Sequence, residues 1–307
     1  MNMRVPRLIL AVVLGVLLPA IGWAAEGAHE GEAQSGLPNA APVLFHIGPL
    51  PVTNSMVLTW VVALGLVVFA QVAMRNVQMV PKGVQNFWEW LVEGLYKFLE
   101  ELIGPHLVQK TFWFFGSLFI FIVATNWFGL IPGVGTIGHG VATGHGFHVT
   151  QPLFRGAHAD FNMTFAMSLV FFLLWTVWAI QENGVVGFFK HLFAPKGETS
   201  GALFLLMVVV FFAVGLLEVV SILFRPVSLS FRLYGNIFAG ENMIESMTHL
   251  GGTYWGWLTA LPFYFMELLV GVVQALVFML LTAVFTLLIC THDESEGHGH
   301  AKGHSDH

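Results

Sequence analysis

Residues 217–241 read LEVVSILFRPVSLSFRLYGNIFAGE, an apolar stretch that carries an arginine, Arg232, in its second half. A guanidinium in the hydrocarbon core of a bilayer costs about 2.5–3.5 kcal/mol on insertion scales. Arginine does not escape this cost by losing its proton. We therefore interpret Arg232 as a functional residue with an acid or an ion path close to it. The alternative at this point is that Arg232 only neutralises a glutamate of the same chain.

The composition indicates a polytopic membrane protein. Of the 307 residues, 56% are hydrophobic and 10% are charged, whereas soluble domains carry about 25% charged residues. The net charge is −6, and the 12 basic residues are too few for a nucleic-acid-binding surface. The single cysteine, Cys290, excludes an intrachain disulfide, and we interpret it as a small apolar residue.

Five hydrophobic segments are each long enough to cross about 30 Å of hydrocarbon. They lie at residues 55–74, 112–131, 163–180, 203–247 and 254–290. The last two exceed one perpendicular crossing, so we expect them to tilt, bend or run partly along the membrane plane. The predicted fold class is an all-α polytopic membrane protein, whose last two units form a hairpin through Gly251 and Gly252.

One segment between the first two spans has a different pattern. Residues 82–106 interleave aromatic and aliphatic residues with acidic ones. This pattern is typical of an amphipathic helix on the membrane surface. A helix packed within a soluble domain is the alternative, which the flanking spans disfavour.

The two ends of the chain lie outside this pattern. Arg4, Arg7, an apolar stretch and the small-residue site around Ala24 predict a signal peptide over residues 1–25, cleaved near Ala24 or Ala25. An uncleaved first membrane helix is the alternative. We further expect an external linker over residues 26–50, a membrane domain over 51–291 and a His-rich tail over 292–307.

The basic residues of the loops predict the orientation. With the mature N-terminus outside, the basic-rich segments all fall on the cytoplasmic side, as the positive-inside rule requires. The loop between the second and third spans holds one basic residue, Arg155, and is external in this arrangement. The C-terminus is then cytoplasmic.

Histidines are frequent in that external loop and in the tail. Their spacing is irregular and Gly-rich, and no cysteine accompanies them, so we predict no metal site. The sequence also lacks a phosphate-binding glycine loop and a nucleophile constellation. We therefore predict no catalytic residues and no cofactor. The loop histidines are His139, His145, His148 and His158, and the tail carries His292, His298, His300, His304 and His307.

Polar residues around Arg232 share a face of the predicted helix. Ser228 and Asn236 lie four residues on either side of it, and a helix aligns such positions. Glu218, fourteen residues earlier, returns to within about 40° of the same face. Glu241, nine residues later, lies about 180° away on an unbent helix.

The last span carries a second polar pair. Glu267 and Gln274 are seven residues apart and share a face. Glu267 is surrounded by apolar residues, where a carboxyl is expected to bind and release protons. Glu241 and Glu267 become neighbours if the last two spans form a hairpin. We expect Glu245, near the external boundary, to be solvated.

Each of these residues also has a purely structural interpretation. Arg225, beside Pro226, is expected to extend to an interface. Ser228 has the alternative of a hydrogen bond to its own helix backbone, and Asn236 that of a helix–helix contact. For Glu218, Glu241 and Glu267 the alternative is a purely structural role. Together, one permanent cation and several separated carboxyls predict a proton or ion route.

The run from Arg225 to Glu241 resembles the signature of subunit a of F-type ATP synthases. The resemblance extends over residues 45–290, whereas the signal-like start and the tail lie outside it. Further segments that are similar to this family are 47–60, 81–93, 126–133 (NWFGLIPG), 160–164 (DFNMT) and 274–278 (QALVF).

This resemblance implies a non-catalytic stator that presents long helices, nearly parallel to the membrane, to a ring of c subunits in a bacterial inner membrane. Arg232 matches the essential stator arginine, with Ser228 and Asn236 as its neighbours. Positions of the family's external half-channel correspond to Glu241, Glu267 and Gln274. Positions of its cytoplasmic half-channel correspond to Glu218 and Ser221. The implied partners are the c-ring, b-type peripheral stalk subunits, the remaining subunits of the synthase and membrane lipids.

Two positions depart from some members of that family. Glu267 stands where certain bacterial members have histidine, and Phe224 stands where some have a hydroxyl. The competing classes are an independent transporter or channel, which often shows inverted repeats that are not evident here, and a structural membrane anchor. The resemblance implies that the ring's binding site chiefly decides between H⁺ and Na⁺.

Overall fold

The computed structural model describes most of the membrane domain. The predicted signal peptide, most of the linker and the His-rich tail lie outside the described residues. These described residues are 41–48, 50–131, 134, 137–143, 146–193 and 202–290.

Helices dominate the described part of the chain, and five are long and apolar enough to cross a membrane. This confirms the predicted all-α polytopic class. The helices are α1 (Asn54–Ala73), α2 (Val84–Ile103), α3 (Pro105–Gly129), α4 (Phe161–Phe193), α5 (Ala202–Leu250) and α6 (Gly252–Cys290).

Helix α2 is the predicted amphipathic helix. Its Leu99 and Ile103 are buried, whereas Trp90 and Phe98 on its other side are exposed. The ring of Tyr96 packs edge-on against the ring of Phe112 in α3, with 5.1 Å between the ring centroids. Helix α2 therefore attaches to the bundle along one face and leaves aromatic side chains on the other.

Helix α4 is longer than the third predicted span and breaks near its end. Gly184 has φ 69° and ψ 165°, a conformation outside the helical region that residues with a side chain rarely adopt. Just before the break, Glu182 accepts a hydrogen bond from Lys110 Nζ at 2.5 Å, which ties the end of α4 to the start of α3.

Helices α5 and α6 form the predicted hairpin. Helix α5 has 49 residues, roughly 70 Å if straight, so it exceeds the hydrocarbon thickness. The turn at Gly251 is tight, because a Cβ there would collide with Thr259 and the backbone of Gly256. Thr259 Oγ1 also donates to Met247 O at 2.7 Å, which joins the two helices.

The core lies between α3, α4, α6 and the inner side of α5. Trp175 of α4 donates its indole N–H to Phe285 O of α6 at 3.0 Å. Large fully buried side chains of the core include Phe115, Ile122, Phe171, Leu233, Phe278 and Met279. The outer sides of α1 and α5 remain apolar and exposed.

Two short β-hairpins, which the sequence did not predict, lie where α1 begins, α3 ends and α4 begins. We call this the hairpin end of the molecule. Asn54 Nδ2 donates to Pro152 O at 3.0 Å, and Ser55 Oγ donates to Asp160 Oδ2 at 2.8 Å. The paired strands are β1 (Val43–Ile47) with β2 (Leu50–Thr53), and β3 (Gly138–Thr143) with β4 (Gly146–Pro152).

Candidate functional site

The polar residues of the membrane helices form two groups. One group follows the exposed side of α5, and we call it the exposed lane. The other lies at the hairpin end between α3, α5, α6 and the loop before α4, and we call it the buried cluster. The exposed lane consists of Glu218, Ser221, Ser228, Arg232 and Asn236, all exposed. The buried cluster consists of Asn126, Arg155, His158, Glu241, Glu267 and Gln274.

Arg232 lies exposed in the lane, one helical turn from both Ser228 and Asn236. Among the described residues, no carboxylate comes within 4.0 Å of its guanidinium. This argues against the alternative that Arg232 neutralises one of the glutamates in the described part of the chain. Large apolar side chains surround the lane, including exposed Leu223, Phe224 and Phe231. An apolar surface with a fixed charge at its centre is characteristic of an interaction site.

Asn236 connects the lane to the buried cluster. Its Nδ2 donates to Gln274 Oε1 of α6 at 2.8 Å. Gln274 is buried, as is Glu267, two turns earlier on the same helix face. The exposed lane therefore continues into the interior through one hydrogen bond between α5 and α6.

Glu241 and Glu267 line the same small cavity at the hairpin end, whose volume is about 10 Å³. A cavity of that size holds about one water molecule. The position of Glu267 depends on Gly240, because a Cβ on Gly240 would collide with the Glu267 carboxyl. Glycine thus lets a carboxyl of α6 lie against the backbone of α5, one residue from Glu241.

The loop before α4 contributes an arginine to the cluster. Arg155 is 4% exposed, and its Nε lies 3.9 Å from Glu241 Oε2. The neighbouring Gly156 permits this approach, because a Cβ there would collide with Glu241 Oε1. Sequence reasoning used Arg155 only as a loop charge and missed it as a site residue.

His158 is the second residue that sequence reasoning missed at this site. It lies in a short 3₁₀ turn, Ala157–Ala159, and is 1% exposed. Its Nδ1 is 2.6 Å from Asn126 Oδ1, while Asn126 Nδ2 donates to Gly271 O at 3.1 Å. A carbonyl oxygen only accepts, so Asn126 Oδ1 is the acceptor toward His158 and the imidazole Nδ1 carries a proton. Burial lowers the pKa of His158 to about 3, which keeps the imidazole neutral.

Several polar atoms of the cluster have no hydrogen-bond partner in the described part of the chain. They are Glu241 Oε2, Glu267 Oε1 and Gln274 Nε2, all buried. Native proteins rarely leave buried polar atoms in this condition, and functional sites are a common reason for it. The two carboxylate oxygens are therefore available for a water molecule or a proton, and the amide nitrogen is available to donate to a water molecule.

At the other end of the lane, Glu218 lies 4.0 Å from the Arg225 guanidinium. The Arg225 guanidinium lies over the rings of Trp175 and Phe285, 5.4 Å and 4.4 Å from their centroids, and its extension to an interface stays a prediction. Such cation–π contacts stabilise a partly buried cation. Ser221 is exposed within a turn of Glu218.

The expected boundary residue Glu245 is half-exposed, with a carboxylate oxygen 3.8 Å from His249 Nε2. Over the residues that the structure describes, no group of three metal-binding side chains is found. The histidine tail, with His145 of the loop, lies outside those residues.

Comparisons with known proteins agree on one family. The family model described as ATP synthase A chain matches residues 56–286. ATP synthase subunit a of Moorella thermoacetica is 30% identical over 257 residues, covering 84% of this chain and 96% of the relative. ATP synthase subunit a of Trichlorobacter lovleyi is 33% identical, covering 79% and 89%, and that of Gloeobacter violaceus is 31% identical, covering 78% and 85%.

Proposed function

The chain belongs to the ATP synthase subunit a family, and from this premise we propose that it is the proton-translocating stator of the membrane sector, with two offset half-channels on either side of Arg232. The chain is a multi-pass membrane protein and a component of the ATP synthase complex. The partners proposed for it are a c-ring, b-type peripheral stalk subunits and the remaining subunits of the synthase. In this assignment it carries no catalytic nucleotide site.

The observation that carries the proposal is the state of Arg232. Its guanidinium is exposed on an apolar helix face, and no carboxylate of the described chain pairs with it. A charge in this setting requires a partner outside the chain, because an uncompensated charge in hydrocarbon is costly. A ring of carboxylates that moves past α5 would supply that partner.

The entry route in this proposal starts at the hairpin end. A proton from outside passes Glu241, Glu267 and Gln274, and the Gln274–Asn236 hydrogen bond leads from there to the exposed lane. The proton then neutralises a ring carboxylate, which lowers the cost of turning that carboxyl into lipid.

The exit route starts after almost a full rotation, at Glu218 and Ser221. Arg232 favours the ionised form of the arriving ring carboxyl, so the proton is released toward the cytoplasm. The same fixed charge repels a proton that would cross directly between the half-channels. One charge moved through 100 mV provides about 2.3 kcal/mol, so several transfers are needed for each nucleotide.

We also propose the topology and the processing. The hairpin end faces outside, the C-terminal end of α6 faces the cytoplasm of a bacterial inner membrane, and residues 1–25 are removed as a signal peptide. A protease-accessible tag placed after residue 307 should be cleaved only from the cytoplasmic side. Cleavage from outside would contradict this orientation.

The test of the function is ATP synthesis in membrane vesicles that contain the complete complex. Arg232→Ala should abolish proton-driven synthesis while the c-ring still co-purifies with this chain. Arg232→Lys should also fail, because a lysine can lose its proton in an apolar site. The matched control is Arg75→Ala, which removes an exposed basic residue outside the spans. Synthesis at wild-type rates in Arg232→Ala would contradict the proposed role.

A further inference from the structure

The entrance at the hairpin end contains the ligand types that hard metal cations prefer. Glu241, Glu267, Asn126 and Thr125 all line the one small cavity. Carboxylate, amide and hydroxyl oxygens bind such cations. Glu267 is 3% exposed, and its buried Oε1 has no hydrogen-bond partner among the described residues. A metal cation bound here would compete with the proton for the same carboxyl oxygens.

The loop before α4 supplies a positive charge at this point. The Arg155 guanidinium approaches Glu241 to 3.9 Å. Of the groups in the described chain that act electrostatically on Glu241, Glu245 and Glu267 are acidic, and Arg155 is the cation. His158 also faces the cavity, as a neutral imidazole whose Nδ1–H occupies Asn126 Oδ1. The positive charge at the entrance therefore comes from Arg155.

We propose that Arg155 makes this entrance selective for protons over metal cations. Its guanidinium takes the place of a counter-ion beside the Glu241–Glu267 pair, so a sodium ion entering the cavity meets both a fixed positive charge and a space for one water. A proton passes because it moves between water and carboxyl oxygens without needing a coordination shell. This inference rests on the proposed function, because it assigns a residue to the external half-channel.

The experiment uses proteoliposomes that contain the complete complex, with either sodium chloride or choline chloride at equal ionic strength on both sides. Proton flux is measured after an imposed pH difference with ADP and phosphate present, because in the proposed function the complete complex couples proton flow to ATP synthesis. Wild-type flux should be the same in both salts. In Arg155→Gln, sodium should lower the flux roughly tenfold relative to choline, because a unit charge about 4 Å away shifts an ionic equilibrium by at least that factor.

Two controls separate the charge from the fold. Arg155→Lys keeps the positive charge and should remain insensitive to sodium, whereas a purely structural role of the guanidinium would give both variants the same response. Lys97→Gln removes an exposed basic residue on α2 and should behave like wild type. Equal flux of Arg155→Gln in the two salts would overturn the proposal.

Co-purification of the c-ring shows first whether each variant assembles. Should Arg155→Gln fail to assemble, Arg155→Met tests the same point, and wild-type complex titrated with sodium at alkaline pH tests it without a substitution. Sodium block of the wild type would also refute the inference. A wild-type complex that carries no proton flux in either salt would instead refute the proposed function, so the two failures are distinguishable.

Discussion

The exposed lane and the buried cluster each contain a charged residue of α5, Arg232 and Glu241, and these two residues differ in where their partners come from. In the lane, Arg232 is exposed and has no carboxylate partner in the described chain. In the cluster, Glu241 meets an arginine from a loop, a carboxyl from α6 and a histidine from a 3₁₀ turn. In the proposed function another polypeptide completes the lane, whereas the fold of this chain assembles the cluster.

The largest effect after the loss of Arg232 is expected from the carboxyl pair of the cluster. The double variant Glu241→Gln with Glu267→Gln should reduce proton flux about a hundredfold, the range for loss of a positioned proton-transfer group. Flux in vesicles measures it. Glu245→Gln is the matched control, because Glu245 lies on the same helix but is half-exposed beside His249. Unchanged flux in the double variant would remove both residues from the route.

A smaller decrease in proton flux is expected from a substitution that crowds the cluster. Gly240→Ala places a Cβ against the Glu267 carboxyl, and such overpacking costs about 1–3 kcal/mol. Both the thermal stability of the complex and its proton flux should decrease. Gly65→Ala is the control, since an added Cβ there meets nothing within 4 Å. Equal behaviour of the two variants would show that the Glu267 carboxyl does not lie against α5.

The link between the two regions is tested by Asn236→Leu. This change removes the hydrogen bond that Gln274 Oε1 accepts, so that Oε1 joins Nε2 as a buried atom without a partner in the described part of the chain, at a cost of about 1–3 kcal/mol. We expect proton flux to fall several-fold, while Arg232 and the carboxyl pair remain in place. Asn242→Leu is the control, because Asn242 donates only to Phe238 O of its own helix. Similar proton flux in both variants would show that the hydrogen bond between Asn236 and Gln274 does not connect the lane to the cluster.

The smallest effect on flux, with a distinct effect on stability, is expected for His158→Gln. The pKa of His158 falls from 6.5 to about 3 on folding, so the unfolded chain binds a proton that the folded chain does not. Stability is therefore complete above pH 6.5 and decreases by about 1.4 kcal/mol per pH unit as the pH falls toward 3. The Gln variant should show a weaker acid dependence in thermal unfolding of the detergent-solubilised complex. An identical dependence would show that His158 is not buried in the neutral form.

Helical periodicity and the hairpin predicted most of the lane and half of the cluster for physical reasons, whereas Ser221 was expected only from the resemblance. Ser228, Arg232 and Asn236 lie on one helix, where a repeat of four residues fixes their common face. Glu241 and Glu267 follow from the hairpin, whose turn at Gly251 and Gly252 brings the two helices side by side.

The site residues that sequence reasoning missed lie in irregular segments, where helical periodicity does not predict which residues come together. Arg155 and His158 belong to a loop and a 3₁₀ turn, whose path depends on tertiary contacts such as the Ser55–Asp160 hydrogen bond. The strands β3 and β4 were missed because residues 138–152 are rich in Gly and His and their apolar alternation is short, limited to Phe147 and Val149 in β4. The aromatic contacts of Arg225 were not predicted because the two rings belong to α4 and α6, which are distant in sequence.

Gly240 has a consequence for how this part of the molecule is able to change over evolutionary time. The Glu267 carboxyl fills the volume that a side chain at position 240 would need. The side chains at positions 240 and 267 therefore compete for the same volume. A larger residue at 240 is compatible only with a shorter one at 267. Across relatives, the side chains at these two positions should therefore vary in opposite directions in size. They should do so although 26 residues, including the turn between α5 and α6, separate them along the chain.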